Sequence, residues 1–208
     1  MLVASDTRHE FAGLFSLYEW VTIVTAAIVF AVVLFAAVRY RRRPGREPSA
    51  RTEANLVELV FALVLAGVIA VLVHGTFTTE NRVDAIAAGV QRHVEVTAFK
   101  WGWRFTYSGT GVSVVGDNEH PPTLRLPVGE PIVFVQRSRD VVHSFWVPSL
   151  RFKRDVWPDA TTRFELTVAR PGTYDGACAE FCGLHHTDMT FKVVAESRAQ
   201  FEKWLASR

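Results

Sequence analysis

The chain has 208 residues, 49% of them hydrophobic, and a formal net charge of +2. So small a positive excess, with no lysine-rich run, Gly-rich phosphate loop or basic-flanked stacking platform, argues against nucleic acid as a partner. Only two cysteines are present, which excludes the disulfide framework of a small secreted scaffold.

Residues 21–38 (VTIVTAAIVFAVVLFAAV) contain no ionisable side chain. About 20 apolar residues cross the hydrocarbon core of a bilayer, so this run and its flanks predict a membrane helix over about 17–39. Tyr18 and Trp20 stand at one end and Tyr40 at the other, as an aromatic belt would place them. A cleaved signal peptide is the competing reading. It is opposed by acidic Asp6, Glu10 and Glu19 and by the lack of a distinct small-residue cleavage site. A second run, 59–79, is uncharged apart from His74 and predicts a helix over about 57–78. Glu58 begins it. A charged residue costs about 2.5–3.5 kcal/mol at mid-membrane and less near an interface, so a snorkelling acid and a functional one are both open here.

Between the two runs lie Arg39, Arg41, Arg42, Arg43, Arg46 and Arg51, against Glu47 and Glu53. Positive charge in a short loop marks the cytoplasmic side. The expectation is a hairpin of two spans joined by a cytoplasmic Arg-rich loop at 39–55. Both termini, and everything after about residue 80, then lie outside the cytoplasm.

From His93 onward the pattern changes to period two. In 100–107 the rings Trp101, Trp103, Phe105 and Tyr107 alternate with Lys100, Gly102, Arg104 and Thr106, which predicts a strand with four rings on one face. Strand-like runs follow at 123–126, 132–135, 145–147, 163–168, 173–177 and 190–194, separated by turn formers such as Asp117-Asn118 and Pro171-Gly172. Many short strands predict an antiparallel sandwich or barrel. Ser197 can cap a last helix over 198–205, with Phe201, Trp204 and Leu205 on one face.

The segment 178–189 (CAEFCGLHHTDM) carries the chemistry. Cys178, Cys182, His186 and Met189 offer two thiols, an imidazole and a thioether, and His143 lies upstream at the edge of a strand-like run. Such soft-to-borderline donors suit copper; a structural zinc site rarely uses methionine, and Mg²⁺ and Ca²⁺ take oxygen ligands. A single blue-copper site needs one cysteine, two histidines and a weak axial methionine. Two cysteines can instead bridge two ions, each then needing one histidine and one weak ligand. His143, His186, Met189 and a backbone carbonyl of the 178–182 loop meet that count. A disulfide between the cysteines is the plain alternative outside the cytoplasm. Met189 is otherwise core filler, and Trp101 and Trp103 core aromatics.

Asp140-Val-Val-His143 followed by Cys178, Glu180, Cys182, Gly183, His186 and Met189 resembles the CuA pattern of cytochrome c oxidase subunit II. Also similar to that family are HSFWVPSL at 143–150, Lys153-Arg-Asp155 and Trp101-Gly-Trp103. The resemblance implies a two-helix transmembrane hairpin followed by an all-β cupredoxin-like domain. It implies a dinuclear copper site held by His143, Cys178, the Glu180 carbonyl, Cys182, His186 and Met189. It makes Trp101 the electron inlet, and sets His185 outside the ligands. The Glu180 side chain would reach a Mg²⁺ shared with subunit I. A glutamate at Glu58 is associated with a proton path into subunit I, although the Trp-Thr and Pro that accompany it in the family are absent here.

The function implied is transfer of electrons from cytochrome c through copper to haem in subunit I, within the membrane of a bacterium and beside subunit III. The copper subunit of a related nitric oxide reductase fits the same sequence. A membrane-anchored copper chaperone has a thioredoxin-like fold with its histidine downstream, and a copper-free quinol oxidase subunit would lack these ligands. Over residues 92–208 there are 15 Lys and Arg against 13 Asp and Glu. A surface so nearly neutral, with Arg104 near Trp101, points to a tethered cytochrome c domain rather than a freely diffusing basic one as donor.

Overall fold

The structure is a computed structural model that describes residues 7–41, 45 and 54–208. Arg42, Arg43, Arg46 and Arg51 of the Arg-rich loop, with Glu47 and Glu53, lie outside the described residues, as does Asp6. The chain divides into two compact units, residues 12–80 and residues 1–11 with 81–208.

Two helices, α1 (Thr7–Arg39) and α2 (Asn55–Asp84), run beyond the apolar segments that announce them. Both are long and apolar enough to cross a membrane. Phe30, Phe35 and Phe61 are all more than 60% exposed. Apolar area on that scale is stable only where lipid or protein covers it. Tyr18 and Thr76 join the two helices through a hydroxyl hydrogen bond of 2.7 Å.

Ten strands follow: β1 (Arg92–Phe99), β2 (Gly102–Tyr107), β3 (Ser113–Asp117), β4 (Thr123–Pro127), β5 (Pro131–Ser138), β6 (His143–Val147), β7 (Phe152–Val156), β8 (Thr162–Thr167), β9 (Gly172–Cys178) and β10 (Thr190–Glu196). They form two five-stranded sheets, ordered β3-β2-β1-β5-β8 and β4-β10-β9-β6-β7. The sheets are not wholly antiparallel, because β1 pairs parallel with β5 and β4 parallel with β10. A parallel pair needs a long crossover, and the three intervening strands between β1 and β5 supply one. Alternating apolar residues from both sheets meet in a ring-rich core. Trp103 and Phe105 of one sheet contact Phe191 of the other at 5.2 and 5.6 Å, and Phe134 meets Phe145 at 6.1 Å.

The strand expected over 100–107 begins only at Gly102. Lys100 and Trp101 form the two-residue turn between β1 and β2, where Phe99 pairs with Gly102. Trp103, Phe105 and Tyr107 point inward, whereas Trp101 sits half-buried at the end of the sandwich. The last helix, α3 (Arg198–Ala206), starts at a capping box between Ser197 and Gln200 and buries Phe201 and Trp204.

Candidate metal centre

The site forms where two neighbouring strands of one sheet bring their ends together. His143 opens β6 and Cys178 closes β9, and the ladder between those strands sets Phe145 opposite Cys178. The loop 179–189 leaves β9 and returns as β10. Its ends are closed by the Cys178 N–H donating to the Met189 carbonyl at 2.9 Å, and it is turned by the His186 N–H donating to the Gly183 carbonyl at 3.1 Å. Gly183 has φ +120°, a left-handed conformation that favours glycine. Its missing Cβ also matters, since a Cβ there would lie 3.2 Å from Trp101 Cζ2.

Cys178 and Cys182 are free thiols with their sulfurs 3.8 Å apart, far beyond a disulfide bond. His143 Nδ1 lies 3.8 Å from Cys178 Sγ. On the other side His186 Nδ1 lies 3.6 Å and Met189 Sδ 3.8 Å from Cys182 Sγ. The Glu180 carbonyl is 3.3 Å from Cys178 Sγ. With metal–sulfur bonds of about 2.3 Å and metal–nitrogen bonds of about 2.0 Å, donors around one tetrahedral first-row ion stand roughly 3.5–3.8 Å apart. The spacing therefore fits metal coordination. An imidazole nitrogen stands at each sulfur, His143 Nδ1 at Cys178 and His186 Nδ1 at Cys182.

Charge is divided unevenly among these donors. Burial raises the pKa of Cys178, but hydrogen bonds with His143 and with backbone groups outweigh it and bring the thiol below its ordinary value. Burial and the neighbouring Cys178 charge push Cys182 well up. The pair thus holds one thiolate readily and a second only when a cation arrives to replace the proton. His143 is shielded from water, yet its partners Cys178 and Asp140 raise its pKa overall.

Asp140 does more than the sequence disclosed. Its Oδ1 lies 2.8 Å from His143 Nε2, and its Oδ2 accepts the Lys100 N–H at 2.7 Å. Donation from Nε2–H to the carboxylate fixes the tautomer that leaves Nδ1 free as a ligand. The same carboxylate ties down the turn that carries Trp101. Asp140→Asn is expected to lower copper affinity about tenfold or more, the range typical for losing an outer partner of a ligating histidine. Competition with a copper chelator measures it, and an unchanged affinity would remove Asp140 from this role.

The remaining candidates are placed as follows. His185 turns away from the sulfurs, toward Asp188 Oδ2 at 3.4 Å, and meets the Trp101 ring edge-on at 4.9 Å. The Glu180 carboxylate is directed outward, with Lys153 Nζ at 4.0 Å, while its carbonyl faces Cys178. Glu58 is exposed in the first turn of α2, within the helical unit. The Asp140-Val-Val-His143 spacing stood in the sequence, but not that the carboxylate meets His143 Nε2. The contact of His185 with Trp101 left no such signal.

A family model for the periplasmic domain of cytochrome c oxidase subunit II matches residues 117–197. An alternative cytochrome c oxidase subunit 2 of Bradyrhizobium diazoefficiens is 31% identical, covering 88% of this chain and 75% of that protein. The chain belongs to the cytochrome c oxidase subunit II family. A probable cytochrome c oxidase subunit 2 of Streptomyces avermitilis is 30% identical, over 88% of this chain and 70% of the relative. The subunit 2 of Alkalihalophilus pseudofirmus is 31% identical, but this chain spans only 54% of its length. The fold agrees with the crystal structure of the periplasmic domain of subunit II of cytochrome oxidase from Bradyrhizobium japonicum. That likeness has a TM-score of 0.53 at 20% identity and covers 59% of this chain and 96% of that one.

Proposed function

We propose that this chain receives electrons from cytochrome c at a dinuclear CuA site and delivers them to haem in subunit I, where oxygen is reduced. The ligands are His143, Cys178, the Glu180 carbonyl, Cys182, His186 and Met189. The observation that carries this reading is the pair of sulfurs 3.8 Å apart, with His143 Nδ1 at Cys178 and His186 Nδ1 at Cys182. Two copper ions held by these residues would supply a one-electron couple whose charge change is shared over both. The chain's own residues do the rest. Cys178, Cys182, His143 and Met189 are each at most 6% exposed, so little water must reorient when the charge changes. The strands that carry His143 and Cys178 are both inside a sheet, which holds those two donors in place and anchors the start of the loop that carries the others. A copper-chaperone reading loses its basis, since the domain is a pair of packed β-sheets. Metal analysis of the purified oxidase tests the stoichiometry: two coppers held by this chain support the reading, and one or none opposes it.

In this reading α1 and α2 anchor the chain in a bacterial cell membrane beside subunits I and III, with the β domain and the outer ends of the hairpin on the extracytoplasmic side. The outward Glu180 carboxylate is the group available to a Mg²⁺ shared with subunit I, and Glu58 is the candidate for proton uptake.

The donor is a tethered or complex-bound cytochrome c domain. Charges around Trp101 are mixed, with Lys100 next in sequence, Asp140 on the turn's backbone and the His185–Asp188 pair at the ring. Such a surface steers a basic cytochrome weakly. Reduction by a soluble basic cytochrome c is expected to be slow and nearly flat in salt, while the Debye length falls from about 30 Å at 0.01 M to about 10 Å at 0.1 M. Stopped-flow measurement across that range is the check. A fast rate that collapses with salt would contradict a tethered donor.

A further inference from the structure

Trp101 differs from the other aromatic residues of the domain in how it is held. Trp103 is fully buried and touches the rings of His143, Phe145 and Phe191. Trp101 has one ring neighbour among the described residues, His185, at 4.9 Å and an interplanar angle of 76°. Its indole Nε1 is buried without a hydrogen-bond partner, so no polar contact fixes the ring. Its backbone is secured at Lys100 by Asp140, but that contact leaves the side-chain torsions free. One side of the indole lies over Gly183, which has no side chain to grip it.

We propose that His185 is a positioning residue for electron transfer: its ring edge holds the Trp101 indole against the loop that carries Cys182 and His186. The inference rests on the reading of Trp101 as the electron inlet. His185 suits the task because it is itself fixed from both ends. Its Nδ1 lies 3.4 Å from Asp188 Oδ2, and its backbone carbonyl accepts the Asp188 N–H at 3.2 Å. Trp101 also packs against the apolar core, and an edge-to-face ring pair adds enough to favour one orientation of the ring by roughly two- to tenfold. Transfer between weakly coupled groups depends steeply on their separation. An indole that swings away from the ligand loop transfers more slowly although the copper site is unchanged.

The test uses the assembled oxidase with His185→Ala, His185→Phe and Trp101→Phe variants. Copper spectra are recorded first, then stopped-flow reduction by cytochrome c. His185→Ala is expected to keep the copper spectrum and the KM for cytochrome c while the electron-transfer rate falls several-fold, the order of the orientational preference that the ring pair supplies. His185→Phe restores the ring edge and is expected to recover most of the rate, which a general loss of loop stability would not do. Should the alanine variant fail to assemble, His185→Ser is read in its place. A full rate in His185→Ala, no recovery in His185→Phe, or loss of the copper spectrum in either would each overturn the proposal. Trp101→Phe separates the two readings. If it is slow while His185→Ala is normal, only the positioning role fails. If it retains the full rate, Trp101 is not the inlet and the underlying reading fails with it.

Discussion

Serine in place of either Cys178 or Cys182 is expected to abolish the dinuclear copper spectrum and cytochrome-c-driven turnover, the largest effect of any single change. A serine hydroxyl is similar in size but is neither a thiolate nor a soft donor, so it supplies no bridging charge at neutral pH. The remaining sulfur keeps its imidazole contact, His143 Nδ1 at 3.8 Å for Cys178 or His186 Nδ1 at 3.6 Å for Cys182, but one sulfur cannot bridge as a pair does. The two serine variants should differ in what they leave. Cys178→Ser keeps Cys182 with His186 and Met189, three side-chain donors at 3.6–3.8 Å contacts, the nearer approach to a mononuclear site. Cys182→Ser keeps Cys178 with His143 and the Glu180 carbonyl. Optical and spin-resonance spectra of copper-loaded protein make the comparison. An unaltered dinuclear spectrum in either variant would show that the missing sulfur is not a bridge.

His186→Ala is the second expected large loss. His186 Nδ1 stands 3.6 Å from Cys182 Sγ, and alanine removes the nitrogen donor on that side of the sulfur pair. The neighbouring imidazole cannot take over by a small rotation, because His185 is directed toward Asp188 and Trp101. Copper content and the near-infrared absorption should therefore fall together in His186→Ala. Retention of both would mean that the loop had been read one residue out of register.

The membrane helices and the ligand loop were the most legible parts of the sequence, for opposite physical reasons. The helices announce themselves by a long run of one property, which no neighbouring element has to complete. The loop concentrates four metal-binding side chains in twelve positions, a density that ordinary core packing does not need. Strand β10, with its alternation, and β5, with its continuous apolar run Ile132–Val135, were also visible. Strand β3 was not, because Ser113–Asp117 lies at a sheet edge and offers no fully buried face. Strand β7 was hidden by Lys153, Arg154 and Asp155 between its two buried ends.

Pairing and long-range contacts were beyond the reach of pattern. The alternation Trp101-Trp103-Phe105-Tyr107 continues evenly through a point where the chain turns, so Trp101 reads as a strand residue although it belongs to the hairpin loop. The parallel pairings of β1 with β5 and β4 with β10 depend on which strands the crossovers bring together. Asp140 reaching the Lys100 N–H, and His185 meeting Trp101, join segments far apart in the chain. Only the folded domain sets those groups side by side, and they are the contacts that hold Trp101 beside the loop of Cys182 and His186.

The most direct test of the dinuclear site is the electron spin resonance spectrum of the oxidised, copper-loaded protein, with its copper content measured on the same sample. One unpaired electron shared equally by two copper nuclei gives a seven-line hyperfine pattern, whereas an electron on one nucleus gives four lines. The arrangement of Cys178 and Cys182 between His143 and His186 predicts seven lines and two coppers per chain. Four lines with one copper per chain would contradict it.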